Sequence, residues 1–183
     1  MIDLAPGILL IADPFLKDPN FLRTVVFLCE HKEEGSFGFV LNRKFQNTLD
    51  ELIPELEGHP LPVYYGGPVQ MDTIHFLHQY PEEIPGAQEV IKGVFWGGDF
   101  DVVVNLIKND QLDKDKIRFY IGYSGWSDGQ LSNEMTEKTW LTVNATRRLI
   151  FHKNHEEIWK DSLKHLGGDY EIMVNFPIDP QLN

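Results

Sequence analysis

The chain has 183 residues, 42% of them hydrophobic and 24% charged, enough apolar material for one folded domain and too much for a disordered chain. Its formal net charge of −12 argues against sequence-independent nucleic-acid binding, which relies on Lys and Arg to neutralise phosphates. No apolar run approaches the roughly 20 residues of a membrane span, and a single cysteine, Cys29, rules out an internal disulfide and points to a reducing cytoplasm.

Residues 1–6 lack the basic n-region and apolar stretch of a signal peptide. Gly7 to Ala12 reads as a buried strand because its apolar run is continuous. Asp13-Pro14 and Asp18-Pro19 then punctuate a loop, with Phe15, Leu16 and Phe21 expected to pin it to the core. Arg23 to Glu30 and Phe37 to Asn42 read as two strands of an antiparallel hairpin, joined by a turn over His31 to Ser36. Alternation places Val25, Phe27 and Cys29 on one face and Val26, Leu28 and Glu30 on the other, so the hairpin is expected to be covered on both sides.

Thr48 to Ile53 carries a capping box, Thr48 with Glu51, and predicts a short helix limited by Pro54. Val63 to Tyr65 is a strand ending in Gly66-Gly67-Pro68. Thr73 to Tyr80 is another, and Glu89 to Trp96 is extended but broken at Gly93. Asp99 caps a helix whose apolar face is Val102, Val103, Leu106 and Ile107. Lys116 to Tyr123 is a strong strand that runs into Gly122-Tyr123-Ser124-Gly125-Trp126. Glycine packs nothing in a strand, so a bend, a bulge or a close approach is expected there. Ser127 or Asp128 would cap the short helix that follows. Thr139 to Val143 is extended, Thr146 to Phe151 makes a helical turn, and His155 to Leu166 is an amphipathic helix stopped by Gly167-Gly168. Strands joined at hairpin lengths, without regular βαβ alternation, predict an α+β fold. Its sheet is mainly antiparallel and curled, with helices outside. Residues 1–183 form one domain in this reading.

Several motifs invite chemistry. Gly122 and Ser124 fit a nucleophile elbow, but Trp126 occupies the second glycine position, so Ser124 is expected to bond to local backbone instead. Cys29-Glu30-His31 places a thiol near an imidazole. Cys29 and His31 share a face only if the strand continues that far, and a lone cysteine in an apolar strand is ordinarily a small core residue. His75 and His78 point to opposite faces of a strand, without the companions of a zinc site. Gly97-Gly98 precedes a helix, yet Asp99 would occupy the place of a bound anion, and no nucleotide fingerprint is present. Asn42-Arg43 follows a strand, where an arginine recognises an anionic group or pairs with a structural carboxylate. The longest basic patch, Arg147-Arg148 with Lys153, is short for a polyanion surface. Neither a metal nor a cofactor is expected.

Taken in order, these segments resemble the AlgH/YqgE family of bacterial proteins. The resemblance rests on residues 7–12, Asp18-Pro19-Asn20-Phe21, Cys29-Glu30-His31, Gly38-Phe39-Val40-Leu41-Asn42-Arg43, Tyr65-Gly66-Gly67-Pro68-Val69, His75-Phe76-Leu77-His78, Gly97-Gly98-Asp99-Phe100, Gly122-Tyr123-Ser124-Gly125-Trp126, Gly129-Gln130-Leu131 and Pro177-Ile178-Asp179-Pro180. Lys44 departs from the family's usual proline, and Ser127-Asp128 from a pair richer in glycine or proline. The resemblance implies a single α+β domain with a partial, barrel-like sheet, in a cytosolic bacterial protein. One branch carries a name tied to transcriptional regulation, with no recognised DNA-binding module and no established enzymatic activity.

The expected function is therefore a non-enzymatic regulatory or binding protein with a protein or small-molecule partner, not a membrane or nucleic-acid partner. Its candidate binding surface comprises Cys29, Glu30, His31, Asn42, Arg43, Tyr123, Ser124, Gly125 and Trp126, with Tyr123, Trp126 and Arg43 exposed. The alternatives are a thiol- or serine-dependent enzyme using Cys29 and His31 or Ser124 and, third, a regulator that contacts DNA directly. Composition does not fix the oligomeric state.

Overall fold

The computed structural model describes residues 2–19 and 21–175; Asn20 and the Pro177–Pro180 motif lie outside the described residues. The chain runs through β1 (Ile8–Ala12), β2 (Val25–Lys32), β3 (Gly35–Val40), β4 (Lys44–Thr48), α1 (Leu49–Leu52), β5 (Pro62–Tyr65), β6 (Val69–His78), β7 (Gln88–Ile91), β8 (Val94–Trp96), α2 (Phe100–Lys108), β9 (Ile117–Ser127), α3 (Gln130–Thr136), β10 (Trp140–Asn144), α4 (Arg147–Ile150), α5 (Ile158–Leu166) and α6 (Tyr170–Met173). The strands form one sheet in the order β10-β1-β2-β3-β9-β6-β8-β7, with β4 joined through β5 to β9. Only the β5–β9 pairing is parallel among the described residues. The sheet curls into a half-barrel, as the short hairpin connections predicted.

Side-chain alternation divides the interior three ways. Leu9, Ile11, Val25, Phe27, Phe39 and Tyr120 fill the inside of the curl, which α5 closes with Ile158, Trp159 and Leu163. Ile8, Leu10, Val26, Leu28 and Val40 face outward onto Trp126, Leu131 and Trp140. A third cluster packs Val103, Val104 and Ile107 of α2 on Val63, Phe76 and Phe119. The β2–β3 hairpin is thus covered on both faces, as expected. In α2 the buried face includes Val104, which packs in the third cluster, whereas Val102, expected there, is only half-buried.

β9 is the spine. Residues 119–121 pair with β5 on one side, and residues 117–121 with β6 on the other. From Ser124 to Ser127 the strand exchanges β5 for β3. The strand therefore does not end at Tyr123. Gly122, at φ 68°, inverts its alternation: Tyr120 faces the inner cluster before it and Tyr123 after it. Both the backbone angle and the spacing demand glycine here. A Cβ on Gly122 would stand 2.4 Å from the Gly67 carbonyl oxygen, and one on Gly67 would stand 2.2 Å from the Tyr123 carbonyl carbon. The expected bend is a partner-exchange joint, formed where two glycine segments cross.

Other local expectations hold in part. Thr48 and Glu51 form the capping box of α1, and Asp99 accepts from the Asp101 and Val102 backbone N–H groups at the start of α2. Gly129 in the left-handed region is the N-cap of α3; neither Ser127 nor Asp128 caps it, and the Gln130 side chain reaches back to the Ser127 N–H. Leu16 and Phe21 pack on the outer cluster, but Phe15 points outward, 55% exposed, since the turn at Asp13 carries it away from the core.

Candidate functional site

At the C-terminal end of β9, four rings from four strands surround one opening: Phe37 of β3, His75 of β6, Trp96 of β8 and Tyr123 of β9. They touch in a closed circuit. Ring centroids are 4.9 Å apart for Phe37–Trp96 and 6.5 Å for Trp96–His75. The other two separations are 5.9 Å for His75–Tyr123 and 6.0 Å for Tyr123–Phe37. These are separations at which edge-to-face and offset ring pairs attract. The cleft has a volume of about 500 Å³ and is rimmed by Glu30, Lys32 and Glu34. Lys32 Nζ lies 2.8 Å from Glu30 Oε1. The Trp96 indole N–H is buried with no hydrogen-bond partner among the described residues, an arrangement that has a desolvation cost.

The protonation of His75 follows from its neighbours. The Thr73 hydroxyl donates to the Gln70 carbonyl, so at 3.1 Å it accepts from His75 Nε2. Burial holds this imidazole below its ordinary value of 6.5, because a charged ring loses hydration there. The ring facing the cleft is thus neutral at pH 7.

The predicted surface residues separate. A β-bulge between Leu28 and Glu30 shifts the β2–β3 register, so the extra residue, Cys29, points inward and so does Glu30, opposite Phe37. His31, opposite Ser36, points outward. The alternation that set Cys29 and Glu30 on opposite faces is thereby overturned, and Cys29 and His31 do not share a face although the strand runs on. Strand β2 does run on through Lys32, leaving a turn shorter than expected, but the bulge has already flipped its faces. Cys29 is buried in the inner cluster, its thiol pushed well above its ordinary value by burial and then by Glu30. It is the small core residue expected. His31 Nδ1 meets the Ser36 hydroxyl at 2.6 Å on the other side of the sheet.

Ser124 is fully buried and donates to the Gly66 carbonyl at 3.1 Å. The bond is to backbone, but across the joint instead of locally. Trp126 is buried at 5% exposure, contrary to the exposed ring expected. Its backbone reaches the cleft wall beside Gly125, while its indole packs with Leu131 and Trp140. Glu134 of α3 accepts from both indoles, at 3.1 Å from Trp126 and 2.8 Å from Trp140. Asn42 and Arg43 serve the loop before β2. Asn42 bonds the Val25 N–H and the Arg23 carbonyl, and Arg43 donates to the Pro19 and Leu22 carbonyls. Among the predicted residues, Glu30, Tyr123, Gly125 and Trp126 share the cleft. Phe37 and Trp96 were missed, and His75 was weighed only as a metal ligand. The alternation of Phe37 with Phe39 was the available signal.

The two histidines of the His75-x-x-His78 motif do face opposite ways. His78 is buried against Phe76 and Phe95; it accepts the Tyr80 N–H on Nδ1 and donates from Nε2 to the Gly97 carbonyl. No group of three or more His, Cys, Asp or Glu side chains arranged to hold a metal occurs among the described residues. No helix among them is long and apolar enough to cross a membrane.

Comparison with known proteins identifies the family and the fold. A UPF0301 protein of Chlorobium limicola is 46% identical over 180 residues, covering 98% of this chain and 96% of its own. A relative from Chlorobaculum tepidum is 43% identical at the same coverage. The solution structure of the AlgH protein from Pseudomonas aeruginosa superposes with a TM-score of 0.76 at 29% identity, covering 96% of this chain and 97% of that one. A crystal structure of a protein from Corynebacterium diphtheriae, 21% identical, shares the fold with a TM-score of 0.81, covering 96% and 94%. The family model described as AlgH-like matches residues 9–171, and the chain belongs to that AlgH-like family.

Proposed function

We propose that the protein is a binding protein whose recognition site is the aromatic cleft, and that its ligand presents a cationic, partly apolar group. The circuit of Phe37, His75, Trp96 and Tyr123 carries this reading. Ring faces attract cations, most strongly when water is excluded. Glu30 and Glu34 outnumber Lys32 at the rim, and a chain of net charge −12 draws a cation toward it. The ligand is a small molecule or a side chain of a protein partner. In either case a regulatory role is exerted through that ligand, without duplex DNA. Thiol or serine catalysis draws no support from the geometry, because Cys29 and Ser124 are both buried and, among the described residues, their side chains bond to backbone carbonyls. The lone thiol, kept in the core, suits a cytoplasmic setting.

The test is titration with phenyltrimethylammonium, followed by the indole N–H resonances. The Trp96 signal is expected to move, and Trp96→Ala or Tyr123→Ala to weaken binding at least tenfold with the fold retained. Equal shifts for the neutral isostere tert-butylbenzene would sink the cationic assignment, and no shift with either probe would sink the cleft as the site.

A further inference from the structure

At the opposite end of β9 lies a cleft of about 410 Å³, lined by Tyr64, Lys114, Asp115, Arg118 and Lys153 among others. Arg118 is 8% exposed. Its Nη2 donates to the His152 carbonyl, and its guanidinium carbon stands 5.0 Å from the centre of the Tyr64 ring. Its Nη1 is buried with no hydrogen-bond partner, and no carboxylate lies within ion-pair distance of it among the described residues. A buried guanidinium is ordinarily paired, because an uncompensated charge away from water is costly. Here, in a protein with 28 acidic residues against 16 basic ones, two further cations line its cleft. Lys114 and Lys153 stand on the cleft with it. His155 packs on Tyr64 from the next turn; burial holds its imidazole below the ordinary value, Glu156 opposes that shift, and Lys44 and Arg118 add to it more weakly.

Lys153 also lines a second cleft with Arg147 and Arg148, where Asp161 lies 3.9 Å from Arg148. Asp115 alone opposes the three cations in the Arg118 cleft, leaving a net charge of +2. A phosphate monoester carries about −1.5 to −2 at neutral pH and presents three acceptor oxygens. It matches both the charge and the missing acceptor better than a single carboxylate does. The size of the cleft and the negative charge of the molecule as a whole favour a small ligand over a polynucleotide.

We infer that the Arg118 cleft is an anion site for the phosphate monoester group of a small molecule, with Arg118 at its base and Lys114 and Lys153 at its rim. The site is separate from the aromatic cleft and does not depend on its reading. Thermal unfolding of the full chain is measured in inorganic phosphate, and in phenyl phosphate, against chloride at matched ionic strength. Both phosphates are expected to raise the melting temperature with a saturating dependence, because a ligand that binds only the folded state stabilises it. Arg118→Met abolishes that response and, without phosphate, unfolds no earlier than the parent, since an apolar side chain replaces an unpaired charge. If Arg118→Met does not fold, the surface double variant Lys114→Gln/Lys153→Gln carries the test and binds phenyl phosphate at least tenfold more weakly. Equal melting temperatures in phosphate and chloride would overturn the inference. So would an undiminished response in the double variant, or an oligonucleotide that binds there more tightly than phenyl phosphate.

Discussion

The two ends of β9 make an instructive pair. About 17 Å of extended chain separates Arg118 from Tyr123, at roughly 3.4 Å per residue. Both residues are on the inner side of the curl, and each contributes to a cleft, yet the two clefts are opposite in character. Around Tyr123 the walls are rings, and their positions are fixed by strand pairing. Around Arg118 three cations and Asp115 stand among Pro60, Leu61, Pro62 and the Tyr64 ring, the charges contributed by the loop before β9, by β9 itself and by the segment after α4. Between them the fully buried Tyr120 keeps the two environments apart. One rigid strand can therefore serve two chemistries, because the inversion at Gly122 returns an odd-numbered residue to the face that even-numbered ones occupied before it.

The most damaging change to this arrangement is expected at the joint. Gly122→Val imposes a β-branched residue at positive φ against backbone and should cost about 3 kcal/mol or more. Urea denaturation measures it, and a loss under about 1 kcal/mol would show that the crossing does not hold the ends in register. Next is Glu134→Ala, which leaves two buried indole N–H groups unpaired at the Tyr123 end and should cost about 2–3 kcal/mol. Glu134→Gln keeps an acceptor and should lose less than half of that, so equal losses would assign the effect to packing alone.

A smaller effect is read as a slope against pH. Burial lowers the imidazole values of His75, His78 and His155. Below about pH 6.5 the unfolded chain takes up protons that the folded chain refuses, so stability present above that pH is lost as the pH falls toward the folded values. His78→Gln should flatten the acid slope; an unchanged slope would exclude His78 as a source. On the alkaline side the raised Cys29 thiol gives the reverse sign. Above about pH 9 the unfolded chain releases a proton that the folded chain keeps, and stability falls as the pH rises. Cys29→Ala should soften that fall.

The aromatic end was partly legible in the sequence; of the basic end only the Arg147-Arg148 and Lys153 patch was. Strand β2 could be read by alternation up to Leu28, but a bulge is set by tertiary pairing, so the side taken by Glu30 and His31 could not be counted from residue spacing. The glycines of the joint announced an irregularity, and only the crossing with Gly66-Gly67 shows why both segments need them. Trp126 looked free because it follows Gly125; α3 folds back over it, and the pattern Trp126, Leu131, Met135, Trp140 was the trace of that contact. Lys114, Arg118 and Lys153 are up to 39 positions apart, and no periodicity joins them. The capping box of α1 and the Asp99 cap were readable because their partners lie within three residues.

The pairing of β1 with β10 bears on synthesis as well as on the finished fold. β1 lies between β2 and β10, with Ile8 opposite Asn144 and Ala12 opposite Trp140, and Thr142 bonds the Ile2 N–H and carbonyl through its hydroxyl. On a ribosome β1 emerges before β2 and can meet it, but its other edge stays unpaired until Trp140–Asn144 has been made. That edge, Ile8-Leu9-Leu10-Ile11-Ala12, is uniformly apolar, the kind of edge that recruits foreign strands, and its late closure across the sequence slows folding. Chains halted before residue 140 should aggregate or remain chaperone-bound, whereas chains extended past residue 145 and clear of the exit tunnel should be released; release of both alike would refute the idea.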